Sequence, residues 1–353
     1  MKHKVGIIGN FGAKKNMYNG QTIKTKNLAL LLEGTGNFNL VKADTCYFRQ
    51  KNLKLLYDSL RCLISCKHIF LLVSVNGMKF YLPFLYYLNK LFHRRIYHYI
   101  IGSELMEMVK ENPRLVKYLN ALAENWFEYD SGTRYLQSRG VQNVTTLPNF
   151  KLIAPLDQPL LYDKTAGVFR FCTFSRVMEE KGITDAIEAV CAINDQRGEI
   201  IATLDIYGQV EPGYEDKLNA LLEQNQNCVS YKGVVDSQTS VDVLKSYYAL
   251  IFPTKWAGEG LPGTIIDAFA AGIPVIATDW NANKEIIRNG EDGVIYPNEQ
   301  METLEDALSW SIQNDTQMAK MRANCLKAAE KFTPNTILQT ILTKMGYSES
   351  TCN

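Results

Sequence analysis

Two carboxylates eight positions apart mark the segment of this sequence that is richest in possible chemistry. Residues 252–279 read FPTKWAGEGLPGTIIDAFAAGIPVIATD, with Glu259 in a loop and Asp267 about one turn inside the helix that Pro262 opens. Because carboxylates accept hydrogen bonds from hydroxyl groups, the pair predicts contacts to sugar and ribose hydroxyls at the two ends of one ligand. The simpler interpretation is that an acidic residue near a helix start only interacts with the helix dipole.

Free backbone N–H groups and two cations supply matching partners for a phosphate. Gly263 and Thr264 stand at the predicted helix start, where N–H groups and the helix dipole favour an anion. Arg176 follows an apolar strand and Lys181 precedes another helix, so both are expected at the same edge of a sheet. A guanidinium fork and an ammonium group predict a diphosphate site, with a solvated strand-to-helix turn as the alternative. The chain contains no Asp-x-Asp sequence for a metal–diphosphate complex, so we expect cationic side chains to stabilise the leaving group.

Three further positions carry weaker signals. A loop over residues 9–22 contains glycines and lysines and includes Gly20, whose N–H group could approach a phosphate or a sugar. The loop lacks the G-x-G-x-x-G order and the ribose-binding acid of a nicotinamide site, which argues against a dehydrogenase. Gly208 ends the sequence LDIYG and allows close backbone approach, although a turn explains it equally well. His98 falls inside a predicted strand, where a packed histidine is favoured over a catalytic one.

Apolar strands that alternate with amphipathic helices carry these residues. The alternation predicts βαβ units and a parallel sheet, it breaks around residues 147–159, and it then restarts. We therefore predict two Rossmann-like, doubly wound α/β domains that face each other across a cleft, with boundaries at residues 1–152 and 153–333. In such sheets ligands bind beyond the carboxyl ends of the strands. Helical stretches are predicted over residues 300–313 and 316–347, and residues 334–353 are expected to form a C-terminal helix that packs back towards the first domain.

The charge distribution and the cysteines limit the partners and the compartment. Residues 1–150 carry 21 Lys and Arg against 9 Asp and Glu, a net charge of +12, whereas residues 151–353 carry 17 against 28, a net charge of −11. This split predicts an anionic partner for the first half: a membrane surface, a pyrophosphate-bearing lipid or nucleic acid. No nucleic-acid-binding motif is present, which disfavours the last of these. The eight cysteines show no zinc-site spacing and the first residues do not resemble a signal peptide, so we expect reduced thiols and a cytoplasmic protein.

The apolar stretch from Phe80 to Phe92, FYLPFLYYLNKLF, has two interpretations. It is shorter than the roughly 20 apolar residues that a bilayer-spanning helix needs. Because lysine, histidine and arginine flank it, the stretch is typical of an amphipathic element at a membrane interface. The alternative is a helix that is buried against the sheet.

Taken together, these segments resemble glycosyltransferase family 4, whose members are retaining enzymes with two Rossmann-like domains in the GT-B arrangement. The matching sequences are SRVMEEKG, LDIYG, YKGVV and GEGLPGTIIDAFAAGIPVIATD, at residues 175–182, 204–208, 231–235 and 258–279. LPNF, at residues 147–150, is similar to the family's interdomain junction. The sub-type resembles capsule and exopolysaccharide synthases, which act on lipid-linked acceptors.

The resemblance implies a role for each candidate residue. Arg176 and Lys181 would bind the donor diphosphate and Glu259 the donor sugar, and these three are the predicted catalytic residues. The family usually has glutamate at position 267, and many members have a histidine at the end of the fourth strand, where this chain reads Gly102-Ser103. The predicted donor-binding set contains Asp267 at the ribose, Gly263 and Thr264 at the phosphate, Gly208, and Gly20 from the other domain.

The predicted enzyme transfers a sugar from a UDP- or GDP-sugar to a hydroxyl of a lipid-linked glycan, with retention of configuration, during synthesis of a surface polysaccharide. Residues 1–152 would bind the acceptor and residues 153–333 the nucleotide sugar, without a metal ion. The expected location is the cytoplasm, at the inner face of the cell membrane. Two alternatives remain: a nucleotide-sugar epimerase on the same fold, and a non-catalytic, membrane-associated glycan-binding subunit.

Overall fold

The computed structural model describes residues 2–12, 20–47, 52–163, 167–297 and 301–347. The chain forms two units, one made of Met1–Leu152 with Pro334–Asn353 and the other of Ile153–Thr333. Each unit contains a parallel six-stranded sheet with helices on its faces. This confirms the predicted fold class of two doubly wound α/β domains.

The first unit is built on a sheet whose strands follow the order β2-β1-β3-β4-β5-β6. All neighbouring strands are parallel, and β3 is buried at each of its five positions, as expected for a sheet covered on both faces. The strands are β1 (His3–Gly9), β2 (Phe38–Asp44), β3 (His68–Leu72), β4 (Arg95–Tyr99), β5 (Glu124–Phe127) and β6 (Val144–Thr146).

Helices connect these strands and bury one face against the sheet. The α2–α3 pair is joined by a 3.0 Å hydrogen bond between the hydroxyls of Ser59 and Tyr81. The helices of this part are α1 (Gly20–Gly34), α2 (Asn52–Ser65), α3 (Val75–Phe92), α4 (Glu104–Glu111), α5 (Leu115–Leu119) and α6 (Asp130–Ser138).

The second unit has a sheet with a different strand order, β12-β11-β10-β7-β8-β9. Its strands are β7 (Phe169–Phe174), β8 (Ala202–Tyr207), β9 (Val229–Gly233), β10 (Ala249–Phe252), β11 (Val275–Thr278) and β12 (Gly293–Tyr296). Its helices are α7 (Ile183–Arg197), α8 (Glu215–Gln224), α9 (Ser240–Leu244), α10 (Gly263–Ala270), α11 (Asn283–Ile286), α12 (Leu304–Gln313) and α13 (Asp315–Ala329). Numbered within the unit, the order is 6-5-4-1-2-3, so the chain reverses direction across the sheet between β7 and β10.

The last helix, α14 (Pro334–Met345), packs in the core of the first unit. Ile337, Ile341 and Met345 are buried there together with aromatic side chains of β3 and β4. The helical stretch predicted over residues 316–347 is divided into α13 and α14. Thr333 takes an extended conformation, which the following Pro334 favours by its clash with a helical residue before it.

None of the helices in the described ranges combines the length and the apolar character that a bilayer crossing requires. In α3, Met78, Tyr81, Leu82 and Leu85 are buried. The helix also has exposed apolar side chains, of which Leu91 is 74% exposed. One side of α3 therefore packs against the fold and another faces solvent, and contact of this helix with a membrane interface stays a prediction.

Candidate functional site

The carboxyl ends of β7 and β10 lie next to each other in the second sheet. After β7 the chain continues through Arg176 into a short 3-10 turn, Glu179–Lys181, and after β10 it enters the loop of residues 253–262. The strand order reverses between these two strands, and in open α/β sheets ligands bind in the crevice at such a point. Residues from both segments are therefore well placed to contact a ligand.

The structure brings two of the predicted catalytic residues into contact. The Lys181 ammonium forms an ion pair with Oε2 of Glu259, and the two side chains are only 9% and 12% exposed. The Thr254 hydroxyl donates to the same carboxylate oxygen at 3.2 Å. Because the ion pair is largely shielded from water, its electrostatic interaction is stronger than that of a surface pair. The result is an ammonium and a carboxylate held together at the edge of the sheet.

Close backbone packing aligns the two segments that carry this pair. Gly182 has φ of 71°, and a Cβ atom there would lie 2.3 Å from the Pro253 carbonyl oxygen. Only glycine satisfies both conditions without strain. The backbone N–H of Lys255 donates to the carbonyl of Glu180 at 2.8 Å, which joins the β10 loop to the 3-10 turn.

The loop that contains Glu259 is also held by Trp280 and Asn281, which follow β11. The sequence pattern does not distinguish these two residues as functional. The side-chain amide of Asn281 lies 3.3 Å from the carbonyl oxygens of both Ala257 and Glu259. The indole N–H of Trp280 donates to the Trp256 carbonyl at 2.8 Å. The available signal was the run of polar and turn-forming residues that follows β11, which resembles an ordinary loop.

Arg176 lies beside the same loop. Its guanidinium is 5.3 Å from the centroid of the Trp256 ring, and its Nη1 is 3.4 Å from Oε2 of Glu211. The Arg176 and Glu211 side chains are 40% and 45% exposed, and an exposed ion pair of this kind contributes little to stability. The guanidinium is therefore held loosely and remains accessible to an anionic ligand.

Asp267 is placed differently from the sequence expectation of a carboxylate at the end of a ligand. The residue is fully buried, and its Oδ1 accepts a hydrogen bond of 2.8 Å from the hydroxyl of Ser240, at the start of α9. All residues of α10 from Thr264 to Ala270 are buried, so Asp267 has no solvent-facing side to occupy. Its ribose contact stays a prediction that would require this region to open.

The start of α10 carries an unusual polar group. Gly263 is the first residue of the helix, after Pro262 at the N-cap position. The hydroxyl oxygen of Thr264 is buried, and no hydrogen-bond partner for it exists among the described residues. Buried polar atoms are rarely left unpaired, and the first N–H groups of a helix have no intrahelical acceptor. These groups suit an anion, and their contact with donor phosphate stays a prediction.

Gly208 allows two strand ends to approach closely. Its φ is 138°, and a Cβ atom there would be 1.7 Å from the Ser175 carbonyl oxygen, at the end of β7. The Tyr231 hydroxyl donates to the Gly208 carbonyl at 2.8 Å. A packing role is therefore visible for this glycine, and its predicted donor contact stays a prediction.

The first unit contains the remaining candidates. Gly20 is the first residue of α1, with open space where a side chain would project, whereas residues 13–19 of the glycine loop lie outside the described residues. His98 is fully buried in β4, 3.3 Å from the side-chain oxygen of Asn125. Burial lowers the pKa of His98 to about 4, so the ring is neutral at physiological pH.

Acidic, histidine and cysteine side chains are not grouped as metal ligands in the part of the chain that the structure describes. Metal independence stays a prediction, since a nucleotide diphosphate can bring its own cation.

Comparison with known proteins agrees with this architecture. Residues 169–314, which include the Lys181–Glu259 pair, match the family model described as "Glycosyl transferases group 1". The structure of HepE from Anabaena in complex with UDP superposes with a TM-score of 0.74 and 14% identity over 98% of this chain and all of that one. Sucrose-phosphate synthase from Thermosynechococcus elongatus gives a TM-score of 0.72 and 14% identity over 98% of both chains. At these identities the likeness shows the fold, which is that of GT-B glycosyltransferases.

Sequence relatives match over shorter stretches. The amylovoran biosynthesis glycosyltransferase AmsK of Erwinia amylovora is 27% identical over 154 residues, which are 42% of this chain and 35% of that protein. The chain spans only about a third of the length of such relatives, or less.

Proposed function

We propose that this chain is a retaining glycosyltransferase. Its donor is a UDP- or GDP-sugar, and its acceptor is a hydroxyl of a lipid-linked glycan that becomes part of a surface polysaccharide such as a capsule. The observation that carries this proposal is the shielded Lys181–Glu259 pair at the strand-order reversal of the second sheet, inside the region that matches the glycosyl transferase model. Support for the donor class comes from HepE, whose structures contain UDP and UDP-glucose.

The residues present suggest a mechanism based on charge stabilisation. In the transfer, the bond between the anomeric carbon and the diphosphate oxygen breaks, and the acceptor oxygen bonds to the same face of the sugar. The acceptor proton moves to the departing phosphate. Arg176 and Lys181 stabilise the negative charge that develops on the diphosphate, and Glu259 orients Lys181 and contacts the donor sugar. Preorganised cations of this kind are commonly the largest contribution to such catalysis.

A ligand screen followed by an activity assay tests this proposal. Thermal shifts measured with UDP, GDP and their glucose, galactose, N-acetylglucosamine and mannose derivatives identify the donor, because a ligand that binds the native state raises its apparent stability. Release of the nucleoside diphosphate is then measured with and without glycan acceptors. Stabilisation by one nucleotide together with acceptor-dependent release supports the proposal. Conversion of the donor into an epimer without acceptor would favour an epimerase, and nucleotide binding without turnover a non-catalytic subunit.

We also propose that the first unit contacts an anionic membrane surface, at the inner face of the cell membrane. Apolar side chains with high exposure lie on the neighbouring helices α2 and α3: Leu53 at 84%, Tyr57 at 65%, Tyr87 at 61% and Leu91 at 74%. Arg61, Lys79 and Lys90 are exposed on the same helices, in a half of the sequence with a net charge of +12. Apolar side chains interspersed with cations are typical of helices that lie in a membrane interface.

Sedimentation with lipid vesicles tests the membrane contact. The chain is expected to pellet with vesicles that contain phosphatidylglycerol and to stay in solution with phosphatidylcholine alone. Replacing Tyr87 and Leu91 by glutamate should abolish the interaction, whereas the same change at Leu160 and Leu161 of the second unit, which are 40% and 87% exposed, should not. Equal binding of both vesicle types or of both variants would contradict the proposal.

A further inference from the structure

A lysine of α1 has its ammonium group sealed inside the first unit. Lys24 is 2% exposed and donates to Oε1 of Glu128 at 2.6 Å and to the carbonyl of Ile100 at 2.9 Å. Its Nζ atom also lies 3.6 Å from the centroid of the Tyr99 ring. Desolvation lowers the pKa of Lys24, and the neighbouring Glu128 carboxylate opposes that change. Since these groups surround the ammonium, Lys24 is not available to contact a ligand itself.

The contacts of Lys24 lie at the carboxyl edge of the first sheet. Ile100 directly follows β4 and Glu128 directly follows β5, so the ammonium joins the ends of two neighbouring strands. One turn earlier, the side-chain amide of Gln21 donates at 3.3 Å to the carbonyl of Leu72, the last residue of β3. The first two turns of α1 are therefore connected to the ends of three successive strands. Gly20 and the segment of residues 102–104 lie next to these contacts in the sequence.

Stability alone does not account for such a pair. Removing two charges from water costs about as much as their attraction returns, and apolar residues of similar volume often give an equal or more stable protein. Every residue of β4 after the first is buried, so an apolar pair would suit this environment. His98 of the same strand also has its Nε2 atom buried without a hydrogen-bond partner among the described residues. The Lys24–Glu128 pair itself lies at the carboxyl edge of the sheet, where open α/β sheets bind ligands.

We propose that Lys24 and Glu128 are positioning residues for the acceptor. They hold the start of α1 and the segment after β4 in the relative positions that an acceptor glycan requires, without touching the glycan. The inference rests on the proposed glycosyl transfer. The charged candidates for the donor, Arg176, Lys181 and Glu259, all lie in the second unit. Apart from the backbone of Gly20, no donor candidate lies at this edge of the first unit, so we assign the edge to the uncharged hydroxyls of the acceptor.

Removal of both charges separates positioning from stability. Lys24→Met alone removes only the cation of this buried pair, so the test uses Lys24→Met combined with Glu128→Leu, which removes both charges and keeps the volume. Lys42→Met with Glu33→Leu is the matched control, because that 2.8 Å pair also joins α1 to the sheet but is 42% and 43% exposed. Each protein is assayed with the donor found by the thermal-shift screen and with octyl glycosides as acceptor probes.

The decisive quantity is the ratio of transfer to octyl glycoside over hydrolysis of the donor by water. We expect the double variant at positions 24 and 128 to melt close to the wild type and to bind the nucleoside diphosphate within about twofold, while this ratio falls by about 10²-fold, as displacements near 1 Å can cause. The control should keep the wild-type ratio. An unchanged ratio in a folded double variant would overturn the proposal.

A conservative variant covers the case in which the double variant does not fold. Glu128→Asp keeps the charge and shortens the side chain by one methylene, so it should fold and lower the transfer-to-hydrolysis ratio by about tenfold. A wild-type ratio in Glu128→Asp would equally overturn the positioning role. If the wild-type protein itself binds no nucleotide and transfers no sugar, the proposed function fails instead, and the wild-type measurement identifies that outcome.

Discussion

The carboxyl edges of the two sheets each contain a lysine–glutamate ion pair, and the two pairs are placed differently. Lys181 and Glu259 follow β7 and β10, the strands between which the order reverses, and their side chains are 9% and 12% exposed. Lys24 reaches from α1 across the ends of β4 and β5 to Glu128, and these side chains are 2% and 5% exposed. We propose that the first pair contacts a ligand and that the second holds the backbone around one.

The largest effect is expected from breaking the sealed pair. Lys24→Met removes the buried cation that faces Glu128, which should lower the free energy of unfolding by about 3–5 kcal/mol. Denaturant unfolding measures this change. The exposed counterpart Lys42→Met should lose less than about 1 kcal/mol. Similar losses in both variants would remove the distinction between sealed and surface pairs.

The next largest effect on stability is expected from protonation of the buried His98 in β4. The pKa of His98 is about 4 in the folded protein against 6.5 in the unfolded chain, so the unfolded chain binds the proton first as the pH falls. Stability should therefore decrease between pH 6.5 and pH 4, by on the order of 3 kcal/mol from this residue. Denaturant unfolding of the wild type and of His98→Gln across this range isolates the contribution. Parallel pH profiles of the two proteins would show that folding does not shift the pKa of His98.

At the carboxyl edge of the second sheet, the expected effects are on catalysis. Lys181→Ala and Arg176→Ala should each lower turnover by about 10²-fold or more, because each removes a preorganised cation from the developing diphosphate charge. Steady-state release of nucleoside diphosphate measures the loss. Lys245→Ala, which breaks an exposed pair with Asp242, is the control and should keep wild-type turnover. Near-normal rates in both site variants would refute the catalytic assignment.

The smallest expected effect concerns the buried acid of the second unit. Ser240→Ala removes the hydroxyl that donates to Asp267, and loss of this buried hydrogen bond should cost about 0.5–1.5 kcal/mol of stability. If Asp267 also contacts the ribose, the affinity for nucleoside diphosphate should fall too, as isothermal titration calorimetry would detect. An unchanged affinity would leave Asp267 as a structural residue.

The sequence pattern predicts the strands and the accessible edge well, because both depend on local signals. Buried parallel strands appear as apolar runs, and residues that directly follow them must lie at one edge, which places Lys181 and Glu259 on the same side of the second sheet. The sequence separation of 104 positions from Lys24 to Glu128 prevents a similar inference. A lysine in an amphipathic helix is normally expected in solvent, and only tertiary packing reveals that it is buried.

Two further differences have local physical reasons. The helical stretch predicted over residues 316–347 is divided into α13 and α14, and Thr333 is extended between them because it precedes a proline. The position of Asp267 near the start of α10 predicts a side chain that faces a ligand. The helix is instead covered along all of its sides, which no pattern of eight residues can reveal.

The position of α14 has a consequence for how the chain acquires its structure during synthesis. The first unit needs Ile337, Ile341 and Met345 for its core, yet these residues are translated after the whole of the second unit. Domains generally fold as units while the ribosome elongates the chain. The second unit can therefore reach its native state first, and the amino-terminal half must remain incomplete, with apolar surface available to chaperones, until the last helix emerges.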